Sequence, residues 1–326
     1  MLQQCPPELR PQALRMLWQE AMSFSTDNLS TNEAGLQPSE AEAENESEEL
    51  SFEGLYILLR ENRLFGVLWI ALRPGKTATI WGPSFLGTPN TEEIAELRQA
   101  IETFSEKQQL KLLQSVTPTA KKRHQELLHR LGFEQLTERI LLETSCESNQ
   151  NGLHEAASLK HSMTTPLDFR IVKPDQREAF WKTLIETQQQ SQDCPQVSHV
   201  LADEDWQAIY EGIGERGPGY WRAAYLEEEC IGCLLLDSPL NHSIAEILYM
   251  GIIPAYRQQG LGRQFVSFAK SFLAERHKRA LQAWVDMENT PAMQLYQRTG
   301  FSMVRQEALL YRVAPFSPSA PPVVSL

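Results

Sequence analysis

The sequence predicts an α/β (α+β) protein of two tandem domains, each with a mixed, mostly antiparallel sheet flanked by helices. Strand-like and helix-like segments alternate in two bodies, which polar stretches separate. The two bodies also end alike, the first with ELLHRLGFEQLTERILLETS and the second with QLYQRTGFSMVRQEALLYRV. Each ending reads as a short amphipathic helix, a Gly-Phe turn and two strand-like runs. The shared order indicates a repeated unit.

Composition limits the possible functions. The chain has 326 residues, 42% of them hydrophobic, which is enough for two proper cores. Its net charge is −12, but ten acidic residues and no lysine or arginine lie between Met16 and Leu59, so the remainder is almost neutral. Charge therefore gives no argument for a nucleic-acid partner. With no membrane-length apolar segment and no signal-peptide core, we expect a cytoplasmic protein without a membrane partner.

Polar stretches set the predicted domain boundaries. We expect a first domain at 1–144, which contains an acidic, disordered insertion at 24–52. Residues 145–166 are predicted to be a linker and 167–313 a second domain. The Pro/Ser-rich segment 314–326 is predicted to be a disordered tail.

The second body gives the clearer order of elements. A short strand, FRIV, precedes a helix with proline in its first turn and then a second helix, DEDWQAIYEGI. YWRAAYL and CIGCLLLDS predict a hairpin, and IAEILYMGIIP predicts a longer strand that proline ends. A helix follows, then the strand ALQAWVDM and the shared ending. Cys230 and Cys233 form a CxxC inside the apolar hairpin, without a second pair at zinc spacing, so we interpret them as structural and predict no metal site.

Two glycines, Gly260 and Gly262, stand where the central helix begins, in RQQGLGR. Glycine inside a helix costs about 1 kcal/mol relative to alanine, so a compensating role is expected. The N–H groups at a helix start lack internal partners and bind anions, and glycine removes the Cβ atoms that would keep a phosphate away. We predict a pyrophosphate site here, although a simple tight turn is the alternative. Its predicted residues are Arg257, Gln258, Gln259, Gly260, Leu261, Gly262 and Arg263, with the two arginines adding charge at the rim.

The kind of pyrophosphate follows from the motif. The GxxxxGK[ST] of a Walker loop is absent, and so is the third glycine of a dinucleotide loop. The segment resembles the coenzyme A loop of the GCN5-related N-acetyltransferase (GNAT) superfamily. The resemblance covers most of 167–313, because the preceding strand, the following helix and VDMENTPAMQLYQRTGF fall in the family's order. It implies acetyl-CoA as co-substrate.

The resemblance also implies roles for residues outside the loop. Met250, Gly251 and Ile252 would pair with the pantetheine arm like an added strand, and Asn289 would contact the cofactor. Tyr296 would protonate the departing thiolate, and Glu246 matches the base of the histone-acetylating branch. Simpler interpretations stay open for three of them: a helix N-cap for Asn289, a core aromatic for Tyr296 and a solvated strand residue for Glu246. Direct transfer needs no enzyme thiol, so a nucleophilic role for Cys194 is not favoured.

The first body resembles the same fold but has lost the loop. It reads FLGTPNTEE, without GxG and with acidic residues at the helix start, and Leu128 aligns with Tyr296. A degenerate domain beside a working one is similar in layout to mycothiol synthase. The resemblance therefore implies an N-acetyltransferase that acts through its C-terminal domain, by direct attack of an unidentified small-molecule or peptide amine. A non-catalytic acyl-CoA-binding or interaction scaffold is the alternative. The oligomeric state stays open.

Overall fold

The computed structural model describes residues 1–22, 51–146, 165–197, 199–213, 220–238 and 243–315. Nearly all of the predicted acidic insertion, most of the predicted linker and the end of the predicted tail lie outside these residues. The chain divides into two compact units, one formed by Met1–Leu136 with Glu307–Leu326 and the other by Thr137–Gln306.

The first unit is built on a six-stranded sheet in the order β1-β2-β3-β4-β5-β12. Its pairs are antiparallel except for β4 and β5, which run parallel over residues 77–79 and 112–114. Helices α2 and α3 pack on one face of this sheet, and α1 packs on the other. The elements are β1 (Leu2–Gln4), α1 (Arg10–Met22), β2 (Leu55–Arg60), β3 (Arg63–Arg73), β4 (Thr77–Phe85), α2 (Thr91–Lys107), β5 (Leu112–Pro118), α3 (Lys122–Arg130) and β12 (Ser302–Val313).

The second unit has a sheet in the order β6-β11-β10-β9-β8-β7, in which only β10 and β11 run parallel. Its elements are β6 (Glu134–Ser145), β7 (Asp168–Ile171), α4 (Arg177–Gln188), α5 (Asp203–Ile213), β8 (Arg222–Leu226), β9 (Glu229–Asp237), β10 (Ile244–Ile252), α6 (Gly262–Ala274), β11 (Ala280–Asp286) and α7 (Thr290–Arg298). The predicted fold class, with mixed and mostly antiparallel sheets flanked by helices, is confirmed.

The repeats exchange their last strands. From residue 137 onwards β6 belongs to the second unit and pairs with β11, although it ends the first repeat. From residue 307 onwards β12 belongs to the first unit and pairs with β5. The compact units therefore differ from the predicted boundaries at 144 and 313. In each repeat, the two strand-like runs predicted after the Gly-Phe turn form a single strand of 12 residues. Each of these strands begins in one unit and ends in the other.

The two faces of the second sheet are covered differently. Helices α6 and α7 bury an apolar core on one face, to which β6, β9, β10 and β11 contribute alternate residues. On the opposite face α4 and α5 cover β8, β9 and part of β10 with aromatic side chains. Further along that face, β10 and β11 present polar side chains, among them Glu246 and Gln282, which are paired in register. The candidate site lies at this transition.

Among the described residues, no helix is both long enough and apolar enough to span a membrane.

Candidate active site

Strands β10 and β11 separate partway along their length. They pair only over residues 244–247 and 280–283, although β10 continues to Ile252 and β11 to Asp286. A bulge between Ile247 and Tyr249 shifts the register of β10 against β9, after which β10 stays paired with β9. From Leu248 onwards, one edge of β10 therefore pairs with no residue of β11. The two strands diverge there and leave a wedge-shaped opening between them. Met250, Gly251 and Ile252 lie along this edge.

Gly251 is required by the contact of β10 with α4. A Cβ atom at this position would lie 2.4 Å from Oγ1 of Thr187, in α4. Gly232, which pairs with Ile252 from β9, is equally tight, because a Cβ there would lie 2.4 Å from the carbonyl oxygen of Gly251. The absence of a side chain at Gly251 therefore permits the close contact with Thr187, and the bulge of β10 lies at Leu248.

The loop between β10 and α6 carries a row of unpartnered backbone N–H groups. Within the described residues, no acceptor is recorded for the N–H groups of residues 258–262. Gln258 and Gly260 adopt positive φ values of 63° and 77°. Alternation of left- and right-handed conformations turns successive N–H groups toward one side and forms an anion-binding concavity. A Cβ at Gly260 would meet nothing within 4 Å, so an anion can approach the backbone there.

Gly262 serves a different purpose from the predicted one. A Cβ atom on Gly262 would lie 3.0 Å from Cδ2 of Leu295, in α7. The missing side chain therefore permits the close contact of α6 with α7, and it clears no surface for an anion. Only Gly260 fits the prediction that glycine opens the loop to a phosphate.

Arg257 also differs from the prediction that it adds charge at the rim. Its Nε donates to the carbonyl oxygen of Ile252 at 2.9 Å, and its Nη atoms donate to those of Thr187, Gln189 and Gln190 at 2.8, 2.8 and 3.2 Å. Three of these acceptors lie at the C-terminal end of α4, where a cation also complements the helix dipole. The guanidinium thus holds the loop against α4. Arg263 is exposed in the first turn of α6.

Asn289 is the N-cap of α7. Its Oδ1 accepts a hydrogen bond from the N–H of Ala292 at 3.2 Å, and its Nδ2 lies 3.4 Å from Oδ1 of Asp193. The capping alternative therefore describes the observed contacts of Asn289. Burial by the surrounding protein and the nearby Asp286 carboxylate raise the pKa of Asp193, while the hydrogen bond from Asn289 lowers it.

Tyr296 lies inside the apolar core beneath α7. It is 5% exposed, and its ring packs edge-on against Phe301 with centroids 4.9 Å apart. Burial raises the pKa of the phenol, and the Asp193 carboxylate raises it further. The hydroxyl is therefore protonated at neutral pH and able to donate. The same burial also fits the alternative of a core aromatic, so the catalytic role stays a prediction.

Glu246 lies on the face of β10 opposite the apolar core, directly across from Asp237 on β9. Burial raises its pKa to about 6, with a further increase from Asp237 and a decrease from Arg139 and Arg305. A carboxylate with this pKa is ionised at neutral pH and is a stronger base than an exposed glutamate. Glu246 is thus better suited to accept a proton than its residue type alone suggests.

Cys194 lies near these residues but is unsuited to nucleophilic chemistry. Burial raises the pKa of its thiol to about 12, helped by the carboxylates of Asp193 and Asp286. A thiol with that pKa carries almost no thiolate at neutral pH. Its backbone N–H donates to Asp286 at 3.2 Å and fixes the segment after α4 to the end of β11.

Sequence reasoning missed four residues that surround Glu246: Asp237, Arg139, Trp284 and Arg305. The guanidinium carbons of Arg139 and Arg305 lie 4.2 and 5.1 Å from the centroid of the Trp284 ring. The alternation in ALQAWVDM signals that Trp284 faces away from the apolar core. Arg139 gave no such signal, because it lies on β6, which leaves its own repeat and pairs with β11. Arg305 gave none either, and it lies in the part of β12 that belongs to the second unit.

The first unit has a similar parting of β4 from β5 but no comparable loop. Asn90 accepts a hydrogen bond from the N–H of Glu93 at 2.8 Å, and the Glu93 carboxylate accepts one from the N–H of Asn90 at 2.8 Å. Arg60 binds that carboxylate at 2.7 Å. The side chains of Asn90 and Glu93 thus already partner backbone N–H groups at the start of α2. Leu128, aligned with Tyr296, is fully buried.

Comparisons with known proteins agree with this geometry. The model of the acetyltransferase (GNAT) family matches residues 180–301. Mycothiol acetyltransferase from Renibacterium salmoninarum is 27% identical over 145 residues, which are 43% of this chain and 42% of that protein. Streptothricin acetyltransferase from Escherichia coli is 25% identical over 92 residues, 28% of this chain and 52% of that protein. The chain spans about half the length of these curated relatives.

A solved structure extends the similarity in fold to both units. A GCN5-related N-acetyltransferase from Sphaerobacter thermophilus superposes with a TM-score of 0.65 at 14% identity, and the match covers 98% of this chain and 96% of that one. At this identity the match establishes the fold alone. The tandem layout predicted from the sequence is confirmed, and the stretch that matches the acetyltransferase (GNAT) family model, residues 180–301, lies within the second unit.

Proposed function

We propose that the second unit transfers an acetyl group from acetyl-CoA to a primary amine, by direct attack of the amine on the thioester. One observation carries the proposal: the unpartnered N–H groups of residues 258–262 follow the end of β10, at the open end of the wedge between β10 and β11. A pyrophosphate needs such donors, and a pantetheine arm needs an open strand edge to pair with. One continuous stretch of chain, from Met250 to Arg263, supplies both.

Acetyl-CoA would supply the activated acetyl group. Residues 258–262 would bind its pyrophosphate through backbone N–H groups, and Met250, Gly251 and Ile252 would pair with the amide groups of its arm. Arg257 would act indirectly by holding the loop in place. Asn289 would contribute by fixing the start of α7, in contact with Asp193.

Glu246 and Tyr296 would each move one proton of the reaction. The Glu246 carboxylate would take the proton from the acceptor ammonium, directly or through a water, and leave a nucleophilic amine. The new C–N bond would form as the C–S bond breaks, and the Tyr296 phenol would give its proton to the departing sulfur. The nitrogen, positively charged after the attack, would release its second proton to solvent, and the Tyr296 phenolate would regain a proton from solvent. The pKa of about 6 at Glu246 and the raised pKa of Tyr296 suit these opposite tasks.

Calorimetric titration with acetyl-CoA tests the proposal. The parent chain is compared with Gly260→Glu and with Gly260→Gln, which adds the same bulk at the same positive φ without the charge. We expect one site per chain, at least tenfold weaker binding in Gly260→Glu and a smaller loss in Gly260→Gln. Two sites would show that the first unit also binds. Absence of binding would overturn the proposal, and binding without transfer to any amine would favour the scaffold alternative.

A further inference from the structure

A patch of mixed charge borders Glu246 on the sheet face that α4 and α5 leave uncovered. We call it the acceptor face and define it by Asp237, Glu246, Trp284, Arg139 and Arg305. Asp237 and Glu246 are cross-strand partners, so their carboxylates share one side of the sheet. The two arginines lie on the other side of Glu246, around the indole of Trp284.

The indole of Trp284 positions both guanidinium groups. The ring accepts cation–π contacts from Arg139 at 4.2 Å and from Arg305 at 5.1 Å. Both positive charges act on the Glu246 carboxylate, which places them within electrostatic range of the proposed site of attack. Arg139 also lies opposite the buried Asp286 in the register of β6 and β11.

This arrangement disfavours an acceptor that carries only positive charge. An ammonium group would be attracted by Asp237 and Glu246, but a polyamine would bring further cations against two guanidinium groups. An amine with an anionic substituent would complement both halves of the face. Arginine is well suited to bind such a substituent, because its planar fork matches carboxylate and phosphate oxygens.

We propose that the acceptor is an amine that carries an anionic group, with its amine at Glu246 and Asp237 and its carboxylate or phosphate at Arg139 and Arg305. The proposal rests on the acetyl transfer proposed above. It also gives the first repeat a part in specificity, because Arg139 lies on β6, the strand that this repeat contributes to the second unit.

Matched pairs of amines test the charge preference. With acetyl-CoA as donor and release of the CoA thiol as readout, kcat/KM is compared for glycine, β-alanine and 4-aminobutyrate against their amides. O-phosphoethanolamine against ethanolamine separates phosphate from carboxylate, and spermidine represents a polycation. The protein is assayed as the parent chain and as Arg139→Gln, Arg305→Gln and Arg298→Gln. Arg298 is exposed at the end of α7 and serves as the control.

We expect at least one anionic amine to exceed its neutral partner tenfold in the parent chain. In Arg139→Gln and Arg305→Gln this ratio should fall toward one through a higher KM for the anionic member, while Arg298→Gln keeps the parent ratio. Amides or spermidine used equally well would overturn the proposal and leave the acetyl transfer standing.

Calorimetry separates the two proposals when transfer is not observed. The same anionic amines are titrated into protein saturated with CoA. Binding that weakens in Arg139→Gln and Arg305→Gln, but not in Arg298→Gln, supports the anionic acceptor even if no acetyl group moves. Failure of every anionic amine to bind overturns it, whatever the outcome with acetyl-CoA.

Discussion

Nη2 of Arg257 donates to the carbonyl oxygen of Thr187 at 2.8 Å, and the side chain of Thr187 fills the space beside Gly251. The end of α4 therefore contacts both the edge of β10 proposed to pair with the pantetheine arm and the loop proposed to bind the pyrophosphate. The geometry of the site depends on a helix that contributes none of the proposed catalytic residues.

Arg257→Gln and Arg257→Lys should weaken acetyl-CoA binding to a similar extent, by tenfold or more. Neither side chain reproduces a planar fork that reaches four carbonyl oxygens. Each variant should also lower the free energy of unfolding by about 1–3 kcal/mol. Calorimetry and urea unfolding measure the two effects. Recovery of binding in Arg257→Lys would show instead that the positive charge itself acts on the pyrophosphate.

Gly251→Ala should destabilise the protein by about 1–3 kcal/mol, as overpacking of a core generally does. The new Cβ would lie 2.4 Å from Oγ1 and 2.6 Å from Cβ of Thr187, and the latter is close to the backbone and cannot swing away. Gly262→Ala is the matched comparison, because its new Cβ would meet only the flexible end of Leu295 at 3.0 Å. Urea unfolding should give a clearly smaller loss for Gly262→Ala. Equal losses would contradict the assigned contacts.

The rate of acetyl transfer should fall at low pH with a midpoint near pH 6, because Glu246 must be ionised to accept a proton. Asp237→Asn should move this midpoint downward, since the Asp237 carboxylate raises the pKa of Glu246. Arg305→Gln should move it upward, because its charge lowers that pKa. Glu246→Gln should lower kcat by about 10²–10⁴-fold. Profiles of kcat/KM against pH measure the midpoints, and a profile that Glu246→Gln leaves unchanged would exclude Glu246 as the base.

Tyr296→Phe separates the catalytic role from the core role. The substitution keeps the ring against Phe301 and removes only the hydroxyl. Loss of the proton donor should lower kcat about tenfold to hundredfold with little change in acetyl-CoA affinity. Thermal unfolding of the variant should stay close to that of the parent. An unchanged kcat would assign Tyr296 to the core alone.

Glu93→Gln should destabilise the first unit by about 1 kcal/mol at neutral pH, the usual value of a helix cap. The hydrogen-bonded guanidinium of Arg60 lowers the pKa of Glu93, although burial opposes this. A carboxyl with a lowered folded-state pKa stabilises the fold above its unfolded-state pKa, and this stabilisation is lost as pH falls through the folded value. The difference in urea midpoint between parent and variant should therefore shrink from pH 7 to pH 3. A constant difference would contradict the linkage.

The sequence was most informative about features that are determined within one short segment of the chain. The glycine-containing loop after a proline-ended strand predicted an open backbone turn before α6, which the positive φ of Gly260 and the empty space around it match; its anion-binding role stays a prediction. The type and place of Asn289, before Pro291, indicated the helix cap as the alternative to a cofactor contact, and the cap is observed. Such features depend on backbone conformation within a few residues, and residue types report that directly.

Features that depend on distant contacts were not predictable in this way. The purpose of Gly262 depends on Leu295 in another helix, and three of the four partners of Arg257 lie about 70 residues earlier in the chain. The position of Arg139 near Glu246 needs a strand to leave its own repeat. Hydrophobic alternation marks which side of β6 is buried, but it does not say which sheet the strand joins.

The exchange of closing strands makes the two repeats inseparable parts of one protein. A fragment that begins at the second repeat would lack β6, expose the edge of β11 and lose Arg139, so it would lose both packing and one of the two arginines of the acceptor face. The first repeat therefore cannot be discarded, because the second unit depends on a strand that only the first repeat encodes. The requirement for this strand would preserve the first repeat whether or not that repeat binds a ligand of its own.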